Sequence, residues 1–223
     1  MIGVIPAAGF ATRLGPMPSS KEMIEIDGEP VIERLVSRME AGGCTEIRVV
    51  TRPEKADVRQ YARQRGLTVV LARPPHVGAS VFAGLSGCGE ERLVALGYPD
   101  TLWEPPDGFA TLRALVGGRT EVVLGLFDTP DAARSDVVLT DQSGRVTDIL
   151  VKPPQPPSTL IWGCLVARAG ALGGIDRVEW PSELLRPLIA EGRVKAHYLS
   201  DRWLDIGTRE ALGRALHSTR SWG

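Results

Sequence analysis

The chain has 223 residues, 43% of them hydrophobic, enough to bury a substantial core and within the range of one α/β domain. Its formal net charge is −1 and no run of like charges occurs, which argues against nucleic acid or an anionic membrane as the main partner. No apolar stretch approaches membrane-spanning length and no basic leader precedes the first apolar residues, so a cytoplasmic protein without a membrane partner is expected.

Residues 2–5 read as a short buried strand. From Pro30 to Gly43, Val31, Ile32, Leu35, Val36 and Met39 recur at helical spacing, with Pro30 suited to the first turn and Gly42-Gly43 to the stop. Strands are predicted over 46–51, 67–72, 93–96 and 121–127, alternating with helices over 54–65, 77–85 and 108–116. Such alternation indicates βαβ units and a largely parallel sheet covered on both faces. Beyond residue 130 the pattern changes. Segments 136–140 and 146–151 flank the turn 141–144 as an antiparallel hairpin, a strand follows over 160–167, and helices over 181–191 and 208–216 close the chain. One domain spanning 1–223 is expected, its two halves dividing at about residue 130.

Cys44, Cys88 and Cys164 form no CxxC pair and are odd in number, so reduced thiols are expected. His76, His197 and His217 show no metal-ligand spacing. Lysine is scarce: Lys21, Lys55, Lys152 and Lys195 are the only four among 26 basic residues, which makes each position informative.

The loop 7–21 (AAGFATRLGPMPSSK) follows the first strand directly. Small residues let backbone approach a ligand, turn N–H groups can cradle phosphate, and Arg13 and Lys21 supply positive charge. It is neither a Walker loop, since GxxxxGK[ST] is absent, nor a dinucleotide loop, since GxGxxG is absent and the second strand ends in Thr51-Arg52 rather than an acid. Alone, it is equally compatible with an ordinary surface loop. Farther on, LVALGYPDT places Asp100 at the carboxyl end of a buried strand, where α/β proteins bind ligands. In WLDIGT, Asp205 precedes Thr208, which also suits a helix cap.

Together, IPAAGFATRL from Ile5 to Leu14 and KEMIEIDGEPVI from Lys21 to Ile32 resemble the signature of the sugar-1-phosphate nucleotidyltransferases, the nucleoside-diphosphate-sugar pyrophosphorylase family. The resemblance departs at Ala11, where that family has glycine. It implies a Rossmann-like three-layer αβα sandwich with a mixed, mainly parallel central sheet. It also implies transfer of NMP from a nucleoside triphosphate, with dTTP or UTP favoured, to a sugar 1-phosphate or sugar-like phosphate such as a cyclitol phosphate, with release of pyrophosphate. By the same resemblance Asp100 and Asp205 would bind Mg²⁺, while Arg13, Lys21 and Asp100 would be catalytic. Ala7, Ala8, Gly9, Ala11, Thr12 and Gly78 would lie against the nucleotide, and Lys152 and Gly163 against the acceptor. Two carboxylates suit magnesium, which takes hard oxygen ligands and shares them with phosphates. Val151 replaces a glutamate that reads a sugar hydroxyl, and Asp136 replaces a glycine lining the hexose site, so an unusual acceptor is expected. A cytidylyltransferase for a non-sugar alcohol phosphate and a catalytically silent nucleotide-sugar sensor are the alternatives. Little chain follows Asp205, and a monomer or small homo-oligomer is expected.

Overall fold

A computed structural model describes residues 1–217. In chain order its strands and helices are β1 (Ile2–Pro6), β2 (Glu25–Ile26), β3 (Glu29–Pro30), α1 (Val31–Ala41), β4 (Glu46–Thr51), α2 (Ala56–Gln64), β5 (Thr68–Leu71), α3 (Val77–Gly84), β6 (Leu93–Gly97), β7 (Thr101–Trp103) and α4 (Gly108–Ala114). There follow β8 (Val122–Asp128), β9 (Val137–Thr140), β10 (Val146–Leu150), β11 (Leu160–Arg168), α5 (Pro181–Ala190), β12 (Val194–Ser200), β13 (Trp203–Asp205) and α6 (Arg209–Leu216).

Nine strands form the central sheet. The strands β5, β4, β1 and β6 run parallel side by side, and β11 lies antiparallel to β6. On its other edge β11 pairs antiparallel with β8, which pairs in parallel with β12. The hairpin β9–β10 joins where Ile161 of β11 pairs with Val137. All nine strands except β11 and β10 therefore point one way, giving the mixed, mainly parallel sheet expected.

The pleat decides which residues meet which helices, because neighbouring side chains on a strand face opposite ways. Val4, Leu96, Leu124 and Leu165 enter one apolar cluster with Val81 of α3 and Leu185 and Leu188 of α5. Their neighbours Ile5, Ala95, Val123 and Val166 enter a second cluster with Leu35 and Met39 of α1, Val58 of α2 and Phe109 of α4. Helices thus cover both faces, as a parallel sheet demands. A third, smaller cluster joins Leu102, Ile206 and Ala215, tying β7 to the last helix.

Two departures from the sequence reading matter for the site. The segment 194–200, left unassigned, is the edge strand β12, whose register shifts between Tyr198 and Ser200 and blurs its alternation. The short pair β7–β13 was also not expected; its register places Asp205 opposite Thr101, next to Asp100. Three residues are too few to carry a periodicity. The three cysteines are free, as expected, and burial pushes the Cys44 thiol up to about 12. Among the described residues no helix is long and apolar enough to cross a membrane.

Candidate active site

A cleft of about 660 Å³ opens at the carboxyl ends of the parallel strands, within the range of small-molecule sites. Ala8, Gly9, Phe10, Arg13 and Lys21 line one side, Asp100 and Asp205 the floor, and Asp136, Lys152, Trp162, Gly163, Trp180 and Trp203 the other side.

The loop after β1 is pinned from outside. The Ala7 carbonyl accepts from Lys55 Nζ at 2.9 Å, and the Ala8 carbonyl from Arg52 Nε at 2.7 Å. Ser20 donates through its N–H and hydroxyl to Asp57, at 2.7 and 2.8 Å. From the far end of the chain, Arg209 Nε donates to the Leu14 carbonyl at 2.9 Å. Lys55 also bonds both carboxylate oxygens of Glu22 at 2.7 Å, and the Glu22 side chain is 0% exposed. Burial raises the Glu22 pKa and lowers that of Lys55, each partly offset by the other's charge. Arg52, Lys55 and Glu22 were not singled out from sequence; the scarcity of lysine was the one available signal. Ala11 needs no left-handed backbone, since among the non-glycine residues described only Asp27 and Lys152 have positive φ.

The two acids meet because β13 returns antiparallel beside β7 and the Ile206 N–H donates to the Asp100 carbonyl at 3.0 Å. Lys21 Nζ lies 2.5 Å from Asp100 Oδ2, and Arg13 lies 3.7 Å from Asp205. Their electrostatics differ. Burial pushes both carboxyls up, but the Lys21 ammonium overrides it and holds Asp100 below the usual carboxylate value. Asp205 stays raised, by burial first and by the neighbouring Asp100 charge second, against the Gly207 N–H and Arg13. Lys21 in turn is raised, because Asp100 outweighs its own desolvation. Thr208 caps α6 through its hydroxyl, which accepts from the Ala211 N–H at 3.2 Å, so the cap and the acid coexist in one segment.

On the opposite side, Lys152 holds a left-handed backbone (φ 42°) at the end of β10 and sets its ammonium 3.2 Å from the centre of the Trp180 ring. The Trp162 indole donates to Ser182 Oγ at 2.9 Å, and the Ser182 hydroxyl donates in turn to Asp136 Oδ2. Burial raises the Asp136 pKa, against the Ser182 hydroxyl first and the charge of Lys152 second. A β-carbon on Gly163 would lie 2.7 Å from the Trp203 indole nitrogen, so only glycine lets that ring lie across β11. Among the described residues, six buried side-chain polar atoms lack a hydrogen-bond partner. Three belong to arginine guanidinium groups, and the other three, on Ser80, Asp136 and Trp203, all belong to the wall of this cleft. Unpartnered polar atoms are costly in a dry interior and tolerable where a ligand completes them.

Of the expected site residues, Ala8, Gly9, Arg13, Lys21, Asp100, Lys152, Gly163 and Asp205 border the cleft. Ala7 is buried behind it, while Ala11 and Thr12 lie outside its lining. Gly78 also lies outside: a β-carbon there would come within 2.2 and 2.4 Å of the Ile175 and Val178 carbonyls. That glycine lets α3 pack closely, and its neighbours His76, Val77 and Ser80 reach the cleft instead.

A parallel sheet ending in a pinned glycine-rich loop, two adjacent acids and five lysine or arginine side chains (Arg13, Lys21, Arg52, Arg134 and Lys152) defines a phosphate-handling α/β transferase. The chain belongs to the family of the MobA-like NTP transferase domain, whose profile matches residues 3–125. It is a nucleotidyltransferase. It is 26% identical to the UTP–glucose-1-phosphate uridylyltransferase AglF of Haloferax volcanii, over 94% of this chain and 93% of that protein. It is 25% identical to a glucose-1-phosphate thymidylyltransferase of Xanthomonas campestris, over 96% of this chain and 78% of the relative. A solved UDP-glucose pyrophosphorylase complexed with UDP-glucose shares the fold with a TM-score of 0.82, at 18% identity and 96% coverage of both chains.

Proposed function

We propose that this protein transfers NMP from a nucleoside triphosphate to the phosphate of a sugar or sugar-like acceptor, releasing pyrophosphate. The observation that carries the reading is the convergence of Arg13, Lys21, Asp100, Lys152 and Asp205 on one cleft. Residues to about 130 face the nucleotide and those beyond it the acceptor. The acceptor phosphate oxygen is already anionic at neutral pH, so attack on the α-phosphorus needs no general base. Positioning and charge neutralisation remain as the work of the protein. Arg13, with 59% of its side chain exposed, is free to follow the leaving β- and γ-phosphates. In this reading Lys21, beside Asp100, neutralises the charge that develops on the α-phosphoryl group, and Lys152 draws the acceptor phosphate. The relatives' uracil and thymine nucleotides favour UTP or dTTP as donor.

Enzymes of this kind generally use a divalent metal. Asp100 and Asp205 fit one: both are hard oxygen donors side by side, and burial first and the Asp100 charge second raise Asp205, a cost that a bound dication would offset. No group of three or more ligating side chains occurs among the described residues, so phosphate oxygens and water would complete the shell. Magnesium suits that incomplete shell, and when bound it supplies charge neutralisation at the phosphates.

A pyrophosphate-release screen of five nucleoside triphosphates against sugar and cyclitol phosphates tests the reading. Release with at least one pair is expected; intact nucleotide binding with silence across every acceptor would favour a sensor. A second expectation concerns Lys152. Glycine there relieves a left-handed backbone worth about 1 kcal/mol and forfeits a cation–π contact worth about as much. Lys152→Gly should therefore melt within a few degrees of the parent while acceptor turnover falls about 10²-fold, as read by calorimetry and initial rates.

A further inference from the structure

The acceptor side of the cleft is built for more than a phosphate. Asp136 reaches its wall from the segment before β9, with Oδ2 held by Ser182 and the buried Oδ1 left without a hydrogen-bond partner. Around it stand Tyr98, Trp162 and Trp180; the Tyr98 and Trp162 rings lie 5.8 Å apart and tilted by 54°. Nothing in the transfer chemistry uses this carboxylate. The Trp203 indole N–H and the Ser80 hydroxyl lie elsewhere along the cleft wall, whereas Asp136 itself offers an acid among aromatic rings. An acid and ring faces are the two partners an ammonium group finds in proteins. The ligand-free protein already shows an ammonium seated there: Lys152 Nζ, 3.2 Å from the Trp180 ring centre.

We infer that the acceptor carries a cationic amine in addition to its phosphate, with Asp136 and the Trp180 face reading the amine while Lys152 turns to the phosphate. This rests on the nucleotidyltransferase reading and narrows its acceptor to aminated phosphates, whether an amino sugar phosphate or an amino alcohol phosphate. Binding such a group neutralises a half-satisfied buried acid, which gives the amine an advantage over a hydroxyl in the same place.

Two matched pairs test it: glucosamine 1-phosphate against glucose 1-phosphate, and ethanolamine phosphate against 2-hydroxyethyl phosphate. Within the pair that is used, the amine should be preferred by at least about tenfold in kcat/KM. Whichever pair responds tells sugar from alkyl acceptors. Asp136→Asn should bring the ratio within about twofold of unity, and Trp180→Leu should lower it without touching the acid. Equal or reversed preference in the parent, or an unchanged ratio in both variants, overturns the inference while pyrophosphate release leaves the transferase reading standing. If none of the four phosphates gives pyrophosphate, calorimetry of the same four on nucleotide-bound protein decides. Asp136-dependent, amine-selective binding would keep the inference and sink the transfer reading, and unselective or absent binding ends the inference.

Discussion

Asp205→Asn and Asp100→Asn should both lower turnover by about 10²–10³-fold, yet move stability in opposite directions. Asp205 is a carboxyl whose pKa is raised in the folded chain, so its ionisation opposes folding once the pH rises past the ordinary 3.8. Asparagine removes that charge while its amide oxygen can still accept from the Gly207 N–H, which now donates to Asp205 Oδ1 at 2.7 Å. Melting in metal-free buffer at neutral pH should therefore shift upward. Asp100 is the reverse case. Its folded pKa lies below 3.8, so its ionised form stabilises the fold above that value, and the benefit disappears as pH falls through the lower one. Asparagine at 100 leaves the Lys21 ammonium, with 17% of its side chain exposed, without its anion. Breaking a largely buried pair from one side costs about 3–5 kcal/mol, or on the order of 10 °C in a chain of this size. Magnesium should raise the melting temperature of the parent and leave both variants nearly unmoved. Two variants that melt alike would remove the asymmetry argued for these acids.

The second large effect lies behind the phosphate loop. Lys55→Met strands Glu22, which has no exposure to solvent, and releases the Ala7 carbonyl. The expected cost is again about 3–5 kcal/mol, with weaker nucleotide binding because the loop loses one of its anchors. Glu22→Met alone should be comparably damaging, since it leaves a lysine in a low-dielectric site. The double replacement should recover much of the loss, because burial works against both charges and an apolar pair of similar volume avoids that penalty. Denaturant unfolding of the parent, both singles and the double gives the coupling directly. Additive losses would show that the two side chains do not act as a pair.

The elements with a clear period were legible before the structure. The helix from Val31, the parallel strands and the hairpin beyond residue 130 follow from apolar spacing and turn residues, and their bounds differ by only a few residues. What escaped were elements whose identity is conferred by a partner: β7 and β13, three residues each, and the edge strand β12 with its shifted register. The site divides along the same line. Arg13, Lys21, Asp100, Lys152 and Asp205 stand in recognisable local strings. Arg52, Lys55 and Ser182 do not, and Glu22 stands in such a string without its role being legible, because each acts through a residue far away in sequence, such as the 33 positions from Glu22 to Lys55 or the 46 from Asp136 to Ser182. Gly78 stands in a suggestive string too, but there the structure shows a packing need, with the Ile175 and Val178 carbonyls leaving no room for a β-carbon.

The pairing of β13 with β7 has a temporal meaning for the cell. A ribosome delivers the phosphate loop first and Asp205 some 180 residues later, a gap of about 10–40 s at ordinary elongation rates. Throughout that interval the nascent chain has at most one of the two acids, no return strand and no Arg209 to hold Leu14, a contact that spans 195 positions. The cleft is thus completed only once β13 has emerged, and a chain that stops short of it holds Asp100 without Asp205.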